Sequence, residues 1–151
     1  MPSGLRQTTW LIWPVVLLVL VGGACSDNAT ALPPAEGVIL RIVVDGDVVA
    51  DWTLADLEEQ VTFTDLAIDG DPQSGPLLLD VLEASGVGEW ELGEVVGMGE
   101  GRVFEVGLDI SSSDVDEGWV LDVTKQGTLK LASAGLPRDQ WVRDVGEISI
   151  P

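Results

Sequence analysis

The residues best suited to chemistry in this sequence are carboxylates in two acidic turns. The segments Asp69-Gly70-Asp71 and Asp114-Val115-Asp116 each carry two aspartates. Oxygen ligands of this kind suit Ca²⁺, so we consider Asp69, Asp71, Asp114 and Asp116 as candidate calcium ligands. Neither turn has the spacing of an EF-hand loop, and aspartates also favour turns because their side chains bond nearby backbone N–H groups. The sequence leaves two alternatives, a calcium site or ordinary solvated turns, and solvated turns are the commoner.

The chain has no histidine and a single cysteine, Cys25. Nucleophiles that histidine activates are therefore excluded, and so is the usual zinc site of histidines and cysteines. Carboxylate pairs such as Glu89 and Glu91 suit glycoside hydrolysis, but nothing in the sequence indicates that two of them face each other across a cleft. We predict no catalytic residue. Trp90, between these two glutamates, is the aromatic residue that we expect to contact a ligand or a partner.

The residues before Cys25 indicate a different chemistry for its thiol. A short polar segment with one charge, Arg6, precedes the apolar run Trp10–Val21, and Gly22-Gly23-Ala24 follows it. This order is typical of a secretory signal, and its end resembles a bacterial lipobox, whose cysteine receives a diacylglycerol thioether. We expect residues 1–24 to be a lipoprotein signal peptide and Cys25 to be lipidated. An ordinary signal peptide and an uncleaved N-terminal anchor are the alternatives.

Residues 25–37 are small and polar with paired prolines, Pro33 and Pro34, which is the composition of a flexible tether. Residues 38–151 are long enough for one hydrophobic core without disulfides. The sequence therefore predicts a single domain held by its N-terminal lipid to a bacterial membrane, outside the cytoplasm, in the cell envelope.

Charge restricts the partners of this domain. The chain carries 26 acidic and seven basic residues, and Arg6 is the only charged residue of the predicted signal. After cleavage, six bases would face 26 acids, a net charge of −20. Phosphate backbones repel such a surface, so we exclude nucleic acid as a partner. Solubility in a cation-rich medium is one explanation of the charge, and a surface for cations or a basic partner is the other.

Hydrophobic patterning predicts the elements that position these residues. Strands 38–44 and 48–52 form a hairpin around Asp45-Gly46-Asp47, and Thr53 begins a short helix with a capping box to Asp56. Residues 69–76 have turn composition throughout, residues 77–84 have helical spacing, and Gly86 is suited to end that helix. Further strands are predicted at 61–64, 94–98, 102–106, 119–123, 128–132 and 141–150. The fold class is α+β, a β-rich mixed sheet with two short helices.

The order of these elements resembles a known family. The helix start Thr53–Leu57, the segment Gly75–Val87 and the terminal segment Trp141–Val145 occur in the order found in the oxidoreductase molybdopterin-binding domain of the sulfite oxidase superfamily, here in a shortened form. The similarity spans residues 38–150, and Gly75–Val87 is its most specific part. The resemblance implies the fold of that domain.

The same resemblance implies a cofactor that this chain is poorly equipped to bind. Catalytic members of the family hold molybdenum through a cysteine thiolate, a soft ligand, near the end of the strand that here comprises Val61–Leu66. No cysteine lies there, and few bases remain for the phosphate of the pterin. We therefore expect a non-catalytic binding or accessory module without molybdopterin, with a protein partner in the envelope or a small-molecule ligand. The alternatives are a subunit of a molybdopterin-dependent oxidoreductase and a structural or cation-binding acidic envelope lipoprotein.

Overall fold

The computed structural model describes residues 35–98 and 107–151. The predicted signal peptide, Cys25, residues 25–34 of the tether and the predicted strand 102–106 lie outside these ranges. The strands of the described part are β1 (Leu40–Val44), β2 (Asp47–Trp52), β3 (Phe63–Ile68), β4 (Asp71–Pro76), β5 (Leu92–Gly97), β6 (Gly107–Ser111), β7 (Trp119–Val123), β8 (Leu129–Ser133) and β9 (Arg143–Ile150). The helices are α1 (Leu54–Gln60), α2 (Leu78–Ala84) and a single 3-10 turn (Arg138–Gln140).

Strand β9 lies at the centre of a seven-stranded mixed sheet. Strand β5 pairs with it antiparallel along one edge. On the other edge β1 pairs in parallel with Glu147–Ile150, and β8 pairs antiparallel near Arg143 and Val145. Strands β2 and β6 extend the sheet beyond β1 and β5, and β7 joins it through β8. A mixed sheet with two short helices confirms the predicted α+β class.

Two hairpins use the same two-residue turn. Asp45-Gly46 joins β1 to β2, and Asp69-Gly70 joins β3 to β4. All four residues have positive φ, with both aspartates at 51° and the glycines at 85° and 83°. This is the geometry of a type I′ turn, whose twist matches that of the flanking strands and which Asp-Gly favours.

The start of α1 and the end of α2 are where the sequence predicts them. Thr53 is the N-cap of α1, and its hydroxyl accepts a hydrogen bond from the Asp56 backbone N–H while Asp56 accepts one from the Thr53 N–H. Gly86 follows α2 with a φ of 77°, which a side chain would strain.

The helices and most of the sheet share one large core. Leu57 of α1, Leu82 of α2, Leu121 of β7 and Ile148 of β9 are at most 2 % exposed and belong to the same cluster. Each such side chain stabilises the fold by roughly 1.5–3 kcal/mol relative to an exposed one. A second, smaller cluster of Ile68, Val120, Ala132 and Trp141 lies where β3–β4 covers β7 and β8.

The predicted turn over residues 69–76 is wrong beyond Gly70. Residues Asp71–Pro76 form β4, which pairs with the whole of β3 and packs beside β7. The backbone of β7 comes so close that a Cβ on Gly75 would overlap the Leu121 carbonyl oxygen. Gly75, which the sequence suggested as part of a turn, therefore serves a close contact between two strands. Strand β6 was not predicted from the sequence.

Candidate functional site

The described residues form an apolar groove at the end of the sheet where β1, β9 and β6 finish and β5 begins. Val43, Leu92, Ile110, Ile150 and Pro151 supply its apolar surface, and its volume is about 570 Å³. This size falls within the range of pockets that bind small molecules. Leu92 lines it while remaining 60 % exposed, whereas Ile110 and Ile150 are buried.

Gly93 lets β5 pack closely against Ile150 and Ser149 of β9 at the groove. A Cβ at this position would lie 2.6 Å from the Ile150 Cδ1 atom and 3.0 Å from the Ser149 carbonyl oxygen. Any larger residue would therefore push Ile150 out of place.

A second depression of about 430 Å³ adjoins the first, because Leu92 and Pro151 line both. Its other lining residues are Glu89, Trp90 and Glu91. Trp90 is half-buried and packs against the large core, so its position is fixed by contacts on one side. The structure thus places Trp90, the aromatic residue expected to contact a ligand, in the depression that adjoins the groove.

The polar residues of the groove are acidic or neutral. Glu94 on β5 lies directly opposite Asp109 on β6 in the strand register, and Ser149 on β9 lies opposite Glu94 on the other side. Both carboxylates are exposed. No basic residue is among the described residues that line either depression. Sequence reasoning missed Glu94 and Asp109, because only the pairing of β5 with the unpredicted β6 brings them together.

Arg41, two residues before Val43 on β1, forms an ion pair with Asp51 of β2. Its Nε and Nη2 atoms donate to Asp51 on β2 over 2.8 and 3.1 Å. The hydrogen bond to Asp51, helped by the charges of Asp51 and Glu147, raises the pKa of Arg41 above its ordinary value. The Arg41 side chain is 8 % exposed. Its two parallel hydrogen bonds to Asp51 make a stronger ion pair than a single hydrogen bond would.

The acidic turn at Asp69 and Asp71 is bound by an arginine. Arg138 Nε lies 3.5 Å from Asp69 Oδ2, and Arg138 Nη2 lies 2.7 Å from Asp71 Oδ2. The same guanidinium lies 5.5 Å from the ring centre of Trp141, and Lys130 lies 5.4 Å from it. These contacts join the β3–β4 hairpin to β8 and to the segment before β9, which is a structural role.

The second acidic turn lies apart from the first. Asp116 accepts a hydrogen bond of 2.8 Å from the Gly118 backbone N–H, the local bond that makes aspartate common in turns. Asp114 is exposed. Within residues 35–98 and 107–151 no three acidic side chains converge as a metal site would require. The calcium assignment to these two turns stays a prediction.

The region where the resemblance implies a molybdenum ligand has a different chemistry. Asp65 on β3 accepts a hydrogen bond of 2.6 Å from the Ser74 hydroxyl, and Asp69 and Asp71 follow at the end of the hairpin. These hard, anionic oxygens do not replace a thiolate, and they repel a pterin phosphate. The residues present do not fit the cofactor.

Comparison with known proteins gives no family assignment. No family model matches the chain, and no curated protein is significantly similar to it. In the described part of the chain, no helix is both long and apolar enough to cross a membrane.

Proposed function

We propose that this protein is a lipid-anchored binding module of the cell envelope and that the apolar groove at the end of its sheet is the ligand site. The observation that carries the binding role is the groove itself, with Leu92 exposed in it and Trp90 in the depression beside it. Large exposed apolar side chains in a concave site are typical of ligand binding. The lipid anchor rests on the lipobox-like residues that end at Cys25.

The groups in the groove favour binding over catalysis. Ser149 is the hydroxyl in the larger depression, and its Oγ donates to Glu147 Oε1 over 3.0 Å. A serine nucleophile needs a base that removes its proton and a group that orients the base. The chain has no histidine for this role. The module therefore holds a ligand or presents it to another envelope component.

The groove is tested with a neutral apolar probe, 4-phenyl-1-butanol. The lipoprotein is held in lipid nanodiscs, and binding is followed by ligand-observed NMR with empty nanodiscs as the blank. We expect saturable binding that Leu92→Glu weakens at least about fivefold, because a carboxylate replaces apolar surface in the groove.

Met98→Glu is the matched control. Met98 is 59 % exposed, Leu92 is 60 % exposed, and Met98 lies outside the groove beside Gly146. Its substitution adds the same charge and should leave probe binding unchanged. Equal losses in the two variants, or no saturable binding to the unmodified protein, would contradict the proposed site.

A further inference from the structure

We infer that the ligand of the groove is an organic cation, an ammonium or amidinium group carried on an apolar body. This inference rests on the proposed function and adds the chemical class of the ligand. It comes from the arrangement of carboxylates around an apolar surface.

Glu94 and Asp109 carry the argument for positive charge. They occupy directly opposed positions on neighbouring antiparallel strands, so their Cβ atoms are separated by about 5 Å. Like charges in this position destabilise a sheet. A cation bound between them would replace this repulsion with two attractive contacts, next to the apolar surface of Leu92 and Val43 on the same face of the sheet.

Trp90 adds a second cation-binding element in the depression that adjoins the groove. It lies between Glu89 and Glu91, and the three residues line the smaller depression together. An aromatic ring attracts a cation through its face, and carboxylates at its sides strengthen the attraction. The two depressions therefore favour positive charge at both ends of one apolar surface.

The charge of the whole molecule disfavours an anionic ligand. The described residues that line the groove are not basic, and the chain has 26 acidic residues against seven basic ones. The field of such a surface raises the local concentration of cations and repels anions. The volume of about 570 Å³ fits a small molecule, and we commit to that occupant over a basic peptide.

The test compares molecules that share one apolar body. 4-Phenylbutylammonium, 4-phenyl-1-butanol and 4-phenylbutyrate are each titrated into the lipoprotein in nanodiscs at 150 mM NaCl, and methylammonium reports attraction without an apolar body. We expect the ammonium compound to bind about tenfold more tightly than the alcohol, as two exposed ion pairs would give. The carboxylate should bind more weakly than the alcohol, and methylammonium should not saturate.

Charge-neutral variants assign the preference to the two carboxylates. Glu94→Gln with Asp109→Asn should lose most of the roughly tenfold preference for ammonium over alcohol and retain the affinity for the alcohol. Glu58→Gln with Glu59→Gln removes two exposed charges from α1 and should retain the preference for the cation.

The outcomes separate this inference from the proposed function. Equal binding of ammonium and alcohol to the unmodified protein would overturn the inference and leave the groove as the ligand site. Binding of methylammonium as tight as that of 4-phenylbutylammonium would overturn the requirement for an apolar body. Failure of all four compounds to bind saturably would remove the proposed function as well.

Discussion

At the scale of single residues, Thr53 and Asp56 define where α1 begins. The Thr53 hydroxyl donates to Asp56 Oδ2 over 2.6 Å, and the Thr53 backbone N–H donates to the same oxygen over 3.2 Å. The side-chain hydrogen bond, followed by the backbone one, lowers the pKa of Asp56 below its ordinary value. A capping interaction of this kind places the first turn of α1 directly after β2 and so brings Leu57 into the core.

The lowered pKa gives this cap a definite pH dependence. A group whose folded pKa is depressed contributes stability above its unfolded pKa, about 3.9 for aspartate, and that stability is lost as pH falls through the folded pKa. We expect Asp56→Asn to lower the free energy of unfolding at pH 7 and to match the unmodified protein near pH 2, where Asp56 is protonated in both the folded and the unfolded state. Urea titrations across this range measure the difference.

Two further variants complete that experiment. Glu59→Gln, later in the same helix, should show no comparable change between pH 7 and pH 2. Thr53→Ala removes the capping hydroxyl and should cost about 1 kcal/mol at pH 7. If the free energies of unfolding of Asp56→Asn and the unmodified protein differ by the same amount at every pH, the hydrogen bonds to the ionised Asp56 carboxylate do not contribute to stability.

At the scale of elements, the β3–β4 hairpin depends on one glycine. Gly75 lies where the backbone of β7 crosses closest to β4, and the Ser74 N–H donates to Asp122 of β7 over 2.8 Å beside it. Leu77 continues the contact as an isolated bridge to Val120. The hairpin is therefore held to the sheet by backbone proximity, and this contact covers the smaller core cluster.

Gly75→Ala should accordingly destabilise the domain by about 3 kcal/mol, because the added methyl group forces β4 away from β7. The measurement is the free energy of unfolding from urea titration. Gly88→Ala is the control, since a Cβ at Gly88 meets nothing within 4 Å and its φ is unstrained; its effect should stay within about 0.5 kcal/mol. Equal stability of the two variants would show that the backbone of β7 can shift at Leu121 to make room for the methyl group.

The same hairpin shows where sequence reasoning succeeds and fails. Local signals were enough for the first hairpin, for the cap at Thr53 and for Gly86, because a side chain or a φ angle within a few residues determines each. The Asp69-Gly70 turn carries the same dipeptide as Asp45-Gly46, and the sequence predicted a turn there as well. Strand β4 was not predicted, because Gly75 is explained only by the close approach of β7, which lies far away in sequence.

The sequence likewise suggested only some residues of the candidate site. Trp90 was proposed from the sequence because acidic neighbours in a loop indicate exposure; the structure has it half-buried, and its contact with a ligand stays a prediction. The acidic pair of Glu94 and Asp109 could not, because it exists only through the register of β5 against β6. The sequence suggested Asp69 and Asp71 as calcium ligands. In the structure both form ion pairs with Arg138, which lies more than sixty residues later in the chain.

At the scale of the whole molecule, the proposed ligand site and the proposed anchor have to work together. A chain with 26 acidic residues is repelled by anionic lipid headgroups. Electrostatic attraction therefore does not hold this domain at such a membrane, and a covalent lipid on the tether is the force that would. One acyl chain gives only marginal binding, whereas two or more give a durable anchor.

Cys25 is the residue on which that anchor depends, and it is the single cysteine of the chain. In cells that express the full chain we expect radioactive palmitate to label the protein, Cys25→Ala to abolish the label, and Ser26→Ala to retain it. A maleimide reagent gives the complementary readout, because a thioether does not react with maleimide and a free thiol does. The unmodified protein from membranes should resist maleimide after denaturation. Reaction with maleimide, together with an intact residue 1 at the N-terminus, would instead show an uncleaved and unlipidated chain.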